Sequence, residues 1–198
     1  FMVEGEASFW MNKTLVVGNT ANQSVGAIGL GSSGGKWITN STISENNGPN
    51  AGGVQIWNGD VAVVNSILWN NTPANDYMIV GGGSATAFYS TIGGGWDGDG
   101  NLDSDPLFKD PDNGDFTLSQ NSPCKDAGIA DWDGDGVEDV TDYNGSAPDM
   151  GAFELQMAAP SDFSLFASSN YVVITWLDTE EEGFQYYLLE RSTDPEFN

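Results

Sequence analysis

The chain has 198 residues, with 29 acidic side chains against 5 basic ones, no histidine and a single cysteine. A net charge of −24 excludes a nucleic-acid binder that works by releasing phosphate counterions, and equally a polybasic membrane-surface protein. Without histidine there is no Ser-His triad and no His-ligated metal, and one cysteine permits neither an intrachain disulfide nor a thiolate zinc cluster.

Only 17% of residues are charged, and 26 glycines stand among frequent Asn, Ser and Thr. That mixture favours short strands and tight turns over helices. No apolar run approaches the length of about 18 residues that a membrane-spanning helix needs. The opening Phe1-Met2-Val3-Glu4 reads as mid-structure and no signal peptide precedes it, so the expectation is an internal piece of a longer secreted polypeptide.

A repeat fills the first half. Met11-Asn12-Lys13-Thr14-Leu15 aligns with Thr39-Asn40-Ser41-Thr42-Ile43, 28 residues on. That segment aligns with Val64-Asn65-Ser66-Ile67-Leu68 after 25 residues, and with Tyr89-Ser90-Thr91-Ile92 after a further 24. Polar pairs follow at Gly18-Asn19, Asn46-Asn47, Asn70-Asn71 and Gly93-Gly94, and a second set runs in phase at Gly26-Ala27-Ile28, Val54-Gln55-Ile56 and Met78-Ile79-Val80. Strands this short cannot each bury a face alone. They can if successive turns of chain stack about 4.8 Å apart, with Leu15, Ile43, Leu68 and Ile92 as an internal column. The pattern predicts an all-β parallel β-helix with three short strands per coil, its turn asparagines bonding the backbone of neighbouring coils; an antiparallel sandwich with chance similarity is the alternative.

Residues 88–154 leave the repeat. Asp105-Pro106-Leu107-Phe108, Asn113-Gly114-Asp115-Phe116-Thr117-Leu118, Ser122-Pro123-Cys124-Lys125-Asp126-Ala127-Gly128 and Asp149-Met150-Gly151-Ala152-Phe153-Glu154 occur in order. They resemble the end of the right-handed parallel β-helix surface proteins called choice-of-anchor proteins, with Cys124-Lys125 where that family usually carries Ala-Ile. The resemblance implies a right-handed solenoid on a bacterial cell surface. Physically, this segment is expected to finish and cap the coils, since an open last coil exposes apolar interior and unpaired edges. Cys124 reads as a small buried hydrophobe rather than a reactive thiol.

Two acidic stretches lie in this segment. Asp131, Asp133, Asp135, Asp139 and Asp142 occupy positions 1, 3, 5, 9 and 12 of a twelve-residue calcium loop, with Gly136 at position 6 and the Val137 carbonyl at position 7. A hard cation wants six or more oxygens, and a tight loop presents alternate side chains inward. Calcium is therefore the expected cofactor, in a structural role, weighed against a solvated acidic turn. The stretch Asp97, Asp99, Asn101, Asp103 and Asp105 alternates oxygens but lacks the glycine, and is a weaker calcium candidate. Asp110 to Asp115 reads as a turn entering a strand.

Residues 155–160 form a linker, and 161–198 hold alternating strands at 163–167, 171–177 and 184–191. Pro160, Trp176 and the run 187–192 resemble the start of a fibronectin type III domain. The fragment is far shorter than the roughly 100 residues of such a sandwich, so the chain is expected to continue past Asn198. The domains are thus read as 1–154, a linker, and a partial fibronectin type III-like sandwich over 161–198.

Catalysis finds little support. The cations are Lys13, Lys36, Lys109, Lys125 and Arg191, widely scattered, and the coil acids Glu4, Glu6, Glu45, Asp60 and Asp76 share no stacked register. Trp10, Trp37, Trp57, Trp69 and Trp96 are read chiefly as caps over the apolar interior, with stacking on sugar rings as the second reading. Five Asn-X-Ser/Thr triplets, beginning with Asn12-Lys13-Thr14, match the N-glycosylation pattern; the repeat explains two of them as turn asparagines, and no glycan is taken as implied. The functional expectation is a secreted bacterial surface protein with a structural, adhesive or glycan-binding role. Its partner would be a glycan or cell-surface ligand, with no nucleic acid and no membrane insertion. The alternative is the non-catalytic end of a pectate-lyase-like polysaccharide enzyme with its site upstream; a filament component or secretion-system passenger is the third reading.

Overall fold

A computed structural model describes residues 1–73, 78–156, 161–167 and 172–177. Two compact units divide near the expected linker, Phe1–Met157 and Ala158–Asn198. The first coil supplies β1 (Met2–Val3), β2 (Phe9–Asn12) and β3 (Leu15–Val17), and the second β4 (Ile28–Leu30), β5 (Lys36–Thr39) and β6 (Thr42–Ser44). The third gives β7 (Val54–Ile56), β8 (Asp60–Val64) and β9 (Ile67–Trp69), and the fourth β10 (Met78–Val80), β11 (Ser84–Phe88) and β12 (Thr91–Ile92). Each coil adds one strand to each of three sheets, ordered β1-β4-β7-β10, β2-β5-β8-β11 and β3-β6-β9-β12, and every pairing is parallel. The described residues of 1–92 form a parallel β-solenoid.

The register explains both what repeats and where the sequence alignment slips. Ile43, Leu68 and Ile92 stack as expected, but Val16 and not Leu15 completes their column, because the first interval is 27 residues. Likewise Ile28, not Gly26, stands over Val54 and Met78. The true marker is the corner. Lys13, Asn40, Asn65 and Tyr89 all adopt the left-handed conformation at φ 45–49°, and Gly18, Glu45, Asn70 and Gly94 do so at the next corner. The shared threonine and similar apolar residue of Thr14-Leu15 and Thr42-Ile43 disguise that shift.

Core and corners are built from different chemistry. Leu30, Ile38, Ile43, Val54, Ile56, Val63 and Leu68 are fully buried inside the coil. Asparagines hold the corner, as expected: Asn46 accepts from the Asn19 backbone N–H (3.0 Å) and from its Nδ2 (2.9 Å), and donates to Asn71 Oδ1 (3.0 Å) and the Val16 carbonyl (2.9 Å). Such a ladder satisfies turn groups that would otherwise be buried without partners. At the preceding corner Ser41, Ser66 and Ser90 do the same work, each hydroxyl accepting from the backbone N–H of the coil before it.

The closing segment differs from a simple end plug. Residues 96–102 do extend the stack: Leu102 pairs with Thr91, Asn101 Oδ1 accepts from the Ser90 N–H (3.0 Å), and Trp96 packs on the interior. Beyond Asp105 the chain turns back along the outer flank of the β3-β6-β9-β12 sheet. There Leu118, Cys124 and Met150 bury the outward face of Ile67. We call residues 103–156 the strap. It contains the hairpin of β13 (Phe108–Asp110) and β14 (Asp115–Leu118), joined by a 3-10 turn over Pro111–Asn113. Phe108 and Phe116 meet edge-to-face at 5.2 Å.

In the second unit, β15 (Ser161–Ala167) and β16 (Val172–Leu177) form one antiparallel pair, matching the first two expected strands. The expected third strand at 184–191 lies outside the described residues, as do Asp76 and most of the linker.

Candidate functional site

The strap is anchored by the same four motifs that carry the family resemblance, and each anchor has a physical cause. Asp105 Oδ1 accepts from the Leu107 N–H (2.8 Å), turning the chain at a left-handed Leu107 so that the Pro106 carbonyl receives the Ser122 hydroxyl (2.6 Å). Cys124 is wholly buried against Thr91 Oγ1 at 3.1 Å, and burial pushes its thiol above the usual range, as a packing residue requires. Asp149 and Glu154 brace one knuckle between them. Asp149 accepts from the N–H groups of Asp126 and Leu155 (both 2.7 Å), and Glu154 from those of Asn144 (2.9 Å) and Asp149 (3.0 Å). Burial raises the pKa of both carboxyls. The knuckle places the Ala152 N–H on Thr42 Oγ1 (3.0 Å), and Asn65 clamps both backbone groups of Ile129 at 2.8 Å.

From this anchored frame the acidic loop projects. The Ala130 carbonyl accepts from the N–H groups of Asp139 (2.9 Å) and Val140 (3.1 Å), closing the loop at its base, where Val140 is buried. Left-handed Gly134 and Gly136 turn their N–H groups onto the two oxygens of Asp131, at 2.8 and 2.9 Å. Asp133 accepts from the Asp135 N–H (3.1 Å) and Asp139 from the Trp132 N–H (3.1 Å). These bonds bring one oxygen each of Asp131, Asp133 and Asp139 within 4.8 Å of one another. Each carboxylate oxygen has two lone pairs, so the N–H contacts leave acceptor capacity facing the cluster. The donor set is all oxygen and suits a hard cation.

Two of the five expected carboxylates are not in the cluster. Asp135 turns to the Val137 N–H (2.8 Å), and Asp142, nearly fully exposed, pairs with Lys13 at 3.6 Å. Val137 presents its side chain to solvent. Position 12 faces a cation from the first coil and not the cluster, a contact that loop spacing cannot reveal.

The weaker stretch does not converge. Asn101 is a ladder residue, donating to the carbonyls of Ala87 (2.8 Å) and Trp96 (3.1 Å). Asp103 accepts from the Gly94 N–H (3.0 Å) and Asp105 serves its own turn, while Asp97 and Asp99 are exposed. Among the described residues, Asp131, Asp133 and Asp139 form the one convergent acidic group.

The cations are dispersed. Lys36 lies inside the coil, its Nζ donating to the Gly34 carbonyl (2.8 Å), and burial lowers its pKa against the opposing pull of Asp60. Sequence periodicity marks the site of Lys36 as inward but cannot supply the carbonyl that receives its charge. The tryptophans divide: Trp69 and Trp96 pack on apolar clusters as expected of caps, whereas Trp10 and Trp37 are exposed. Comparison with protein-family models, curated proteins and solved structures finds no match to this chain.

Proposed function

We propose that this chain is a structural, adhesive part of a secreted bacterial surface protein, in which calcium bound at Asp131, Asp133 and Asp139 closes and stiffens the acidic loop of the strap. The convergence of those three carboxylates carries the reading. A bound divalent ion would offset their mutual repulsion and hold the loop that bridges Ile129, clamped by Asn65, to Val140. The choice-of-anchor motifs and the fibronectin type III-like start support an extracellular setting. The enzymatic alternative gains nothing from the site: Lys36 is interior, and Lys13 is spent on Asp142.

Extracellular calcium modules bind with Kd of about 10⁻⁴ to 10⁻³ M, so 10 mM calcium should stabilise by about 1.4–2.7 kcal/mol. For a unit of this size that raises Tm by roughly 3–11 °C. Differential scanning calorimetry with calcium, magnesium and chelator tests this. Asp131→Asn/Asp139→Asn should abolish the calcium response, and a wild-type melt indifferent to calcium would remove the staple.

A further inference from the structure

We infer that the outer face of the β2-β5-β8-β11 sheet is a binding platform for an uncharged polysaccharide, with Trp10 and Trp37 as its stacking planes. The inference starts from register. Trp10 pairs directly with Trp37 on neighbouring rungs, about 4.8 Å apart, and their neighbours Met11 and Ile38 point into the core. Both indoles therefore leave the same side of one flat sheet. Trp10 is 69% and Trp37 37% exposed, although both sit on rigid strands where burial was open to them.

The two rings are also held in place. Trp10 Nε1 donates to Thr39 Oγ1 at 3.1 Å, which draws that indole toward the C-terminal end of β5. Trp37 lies over the other end: a Cβ on Gly35 would stand 2.6 Å from its six-membered ring. The bare Gly35 leaves room for the ring to lie there. The rings diverge along the strand and tile the surface. A platform fixed before binding loses little side-chain entropy when a ligand arrives.

The surroundings select the ligand class. The rungs beside Trp37 carry Ala62 and then Thr86, small residues that leave a shelf beside the rings. Along its edge the exposed Asp60 carboxylate accepts from Ser84 Oγ (2.5 Å), and Asn12 offers an exposed amide at the opposite end. Flat aromatic surface ringed by hydroxyl, amide and carboxylate groups matches a pyranose, which has an apolar C–H face and an equatorial belt of hydroxyls. Charge decides the sugar type. The exposed Asp60 carboxyl stands on this shelf, Asp97, Asp99, Asp131 and Asp133 border its β11 end beside Thr86, Lys36 at the foot of β5 points inward, and the chain carries −24, so uronate polymers are repelled. Two indoles also fall far short of the roughly 800 Å² per partner that a stable protein interface buries.

Native gel electrophoresis of the whole chain through hydroxyethylcellulose, galactomannan or xylan, with polygalacturonate as the anionic control, tests the platform. The expected result is slowed migration in at least one uncharged polymer and none in polygalacturonate. Trp10→Ala/Trp37→Ala should weaken retardation at least tenfold, while Trp37→Phe keeps part of it. Both variants should keep the wild-type circular-dichroism spectrum and a cooperative melt, since Trp10 is largely exposed and Trp37 lies outside the apolar core. No retardation in any uncharged polymer, or equal retardation of the double variant, would overturn the inference. So would a concentration-dependent dimer lost in the double variant, because the face would then be an interface between copies. The calcium melt reads a different feature, so either proposal can fail while the other stands.

Discussion

Replacing Asn46 by alanine is the sharpest test of the corner ladder. The residue is fully buried, and its side chain makes five hydrogen bonds, accepting two from Asn19 and donating to Asn71 Oδ1 and to the carbonyls of Val16 and Ser44. Asn19 is exposed and regains water in the variant, but the Ser44 carbonyl lies in the buried corner. At about 1 kcal/mol per net bond, with a further 1–3 for a buried acceptor left unpaired, the loss should reach about 3–5 kcal/mol. That corresponds to a Tm decrease of roughly 6–20 °C for a unit of this length. Asn46→Asp should be worse, because it keeps the acceptor oxygen and turns the amide donor into a carboxylate oxygen facing three other oxygens. The neighbouring exposed Asn47, changed to alanine, should stay within about 0.5 kcal/mol of wild type. Urea unfolding followed by circular dichroism reads all three. If Asn46→Ala costs less than about 1 kcal/mol, or Asn46→Asp is the milder change, the ladder does not hold the coils together.

Gly151→Ala should release the strap knuckle: the glycine sits at φ +104°, and an added Cβ would lie 2.8 Å from Thr42 Oγ1 and 2.9 Å from Ile67 Cδ1. A cost of about 2–4 kcal/mol is expected, with faster amide exchange across 148–152 in hydrogen-exchange mass spectrometry; wild-type exchange would refute the docking. Asp149 and Glu154 set a pH dependence. Burial raises both folded-state pKa values above their ordinary 3.8 and 4.5, so the folded form holds these protons more tightly than the unfolded chain. Stability is then lost as pH rises from about 4 through the raised values, and thermal melts should show Tm increasing as pH is lowered through them. Asp149→Asn or Glu154→Gln should flatten that slope whatever its effect on absolute stability; an unchanged slope would assign it to other carboxylates.

The solenoid was legible in the sequence because its core is periodic at the letters themselves: Ile43, Leu68 and Ile92 recur at the intervals that the pairing demands. The first coil was misread by one residue because its corner is marked by backbone conformation. Lys13 takes the left-handed position that Asn40 and Asn65 take elsewhere, and a lysine does not announce that role. The strap motifs were visible, but their direction was not. Its anchors join Asn65 to Ile129 and Thr42 to Ala152, across 64 and 110 residues, and no local pattern encodes such contacts. The acidic loop was half legible for the same reason. Spacing finds Asp131, Asp133 and Asp139, while Asp142 is decided by Lys13 from the opposite end of the unit.

Charge is divided as unevenly as the contacts. Sixteen of the 29 carboxylates fall in residues 93–156, against five in residues 1–92. The coils are held by apolar columns and neutral amide ladders, interactions that salt and pH barely touch. The strap instead holds many like charges against the flank of a sheet, opposed by the apolar contacts of Leu118, Cys124 and Met150 and by N–H groups donated to its carboxylates. Self-repulsion of this kind weakens as ions screen it or protons neutralise it. A perturbation of calcium, ionic strength or pH should therefore act on the strap before it acts on the coils. The strap packs chiefly on the β3-β6-β9-β12 sheet, and its acidic loop reaches the β11 end of the sheet that bears Trp10 and Trp37. One compact unit thus combines coils held by neutral contacts with a strap that concentrates its negative charge.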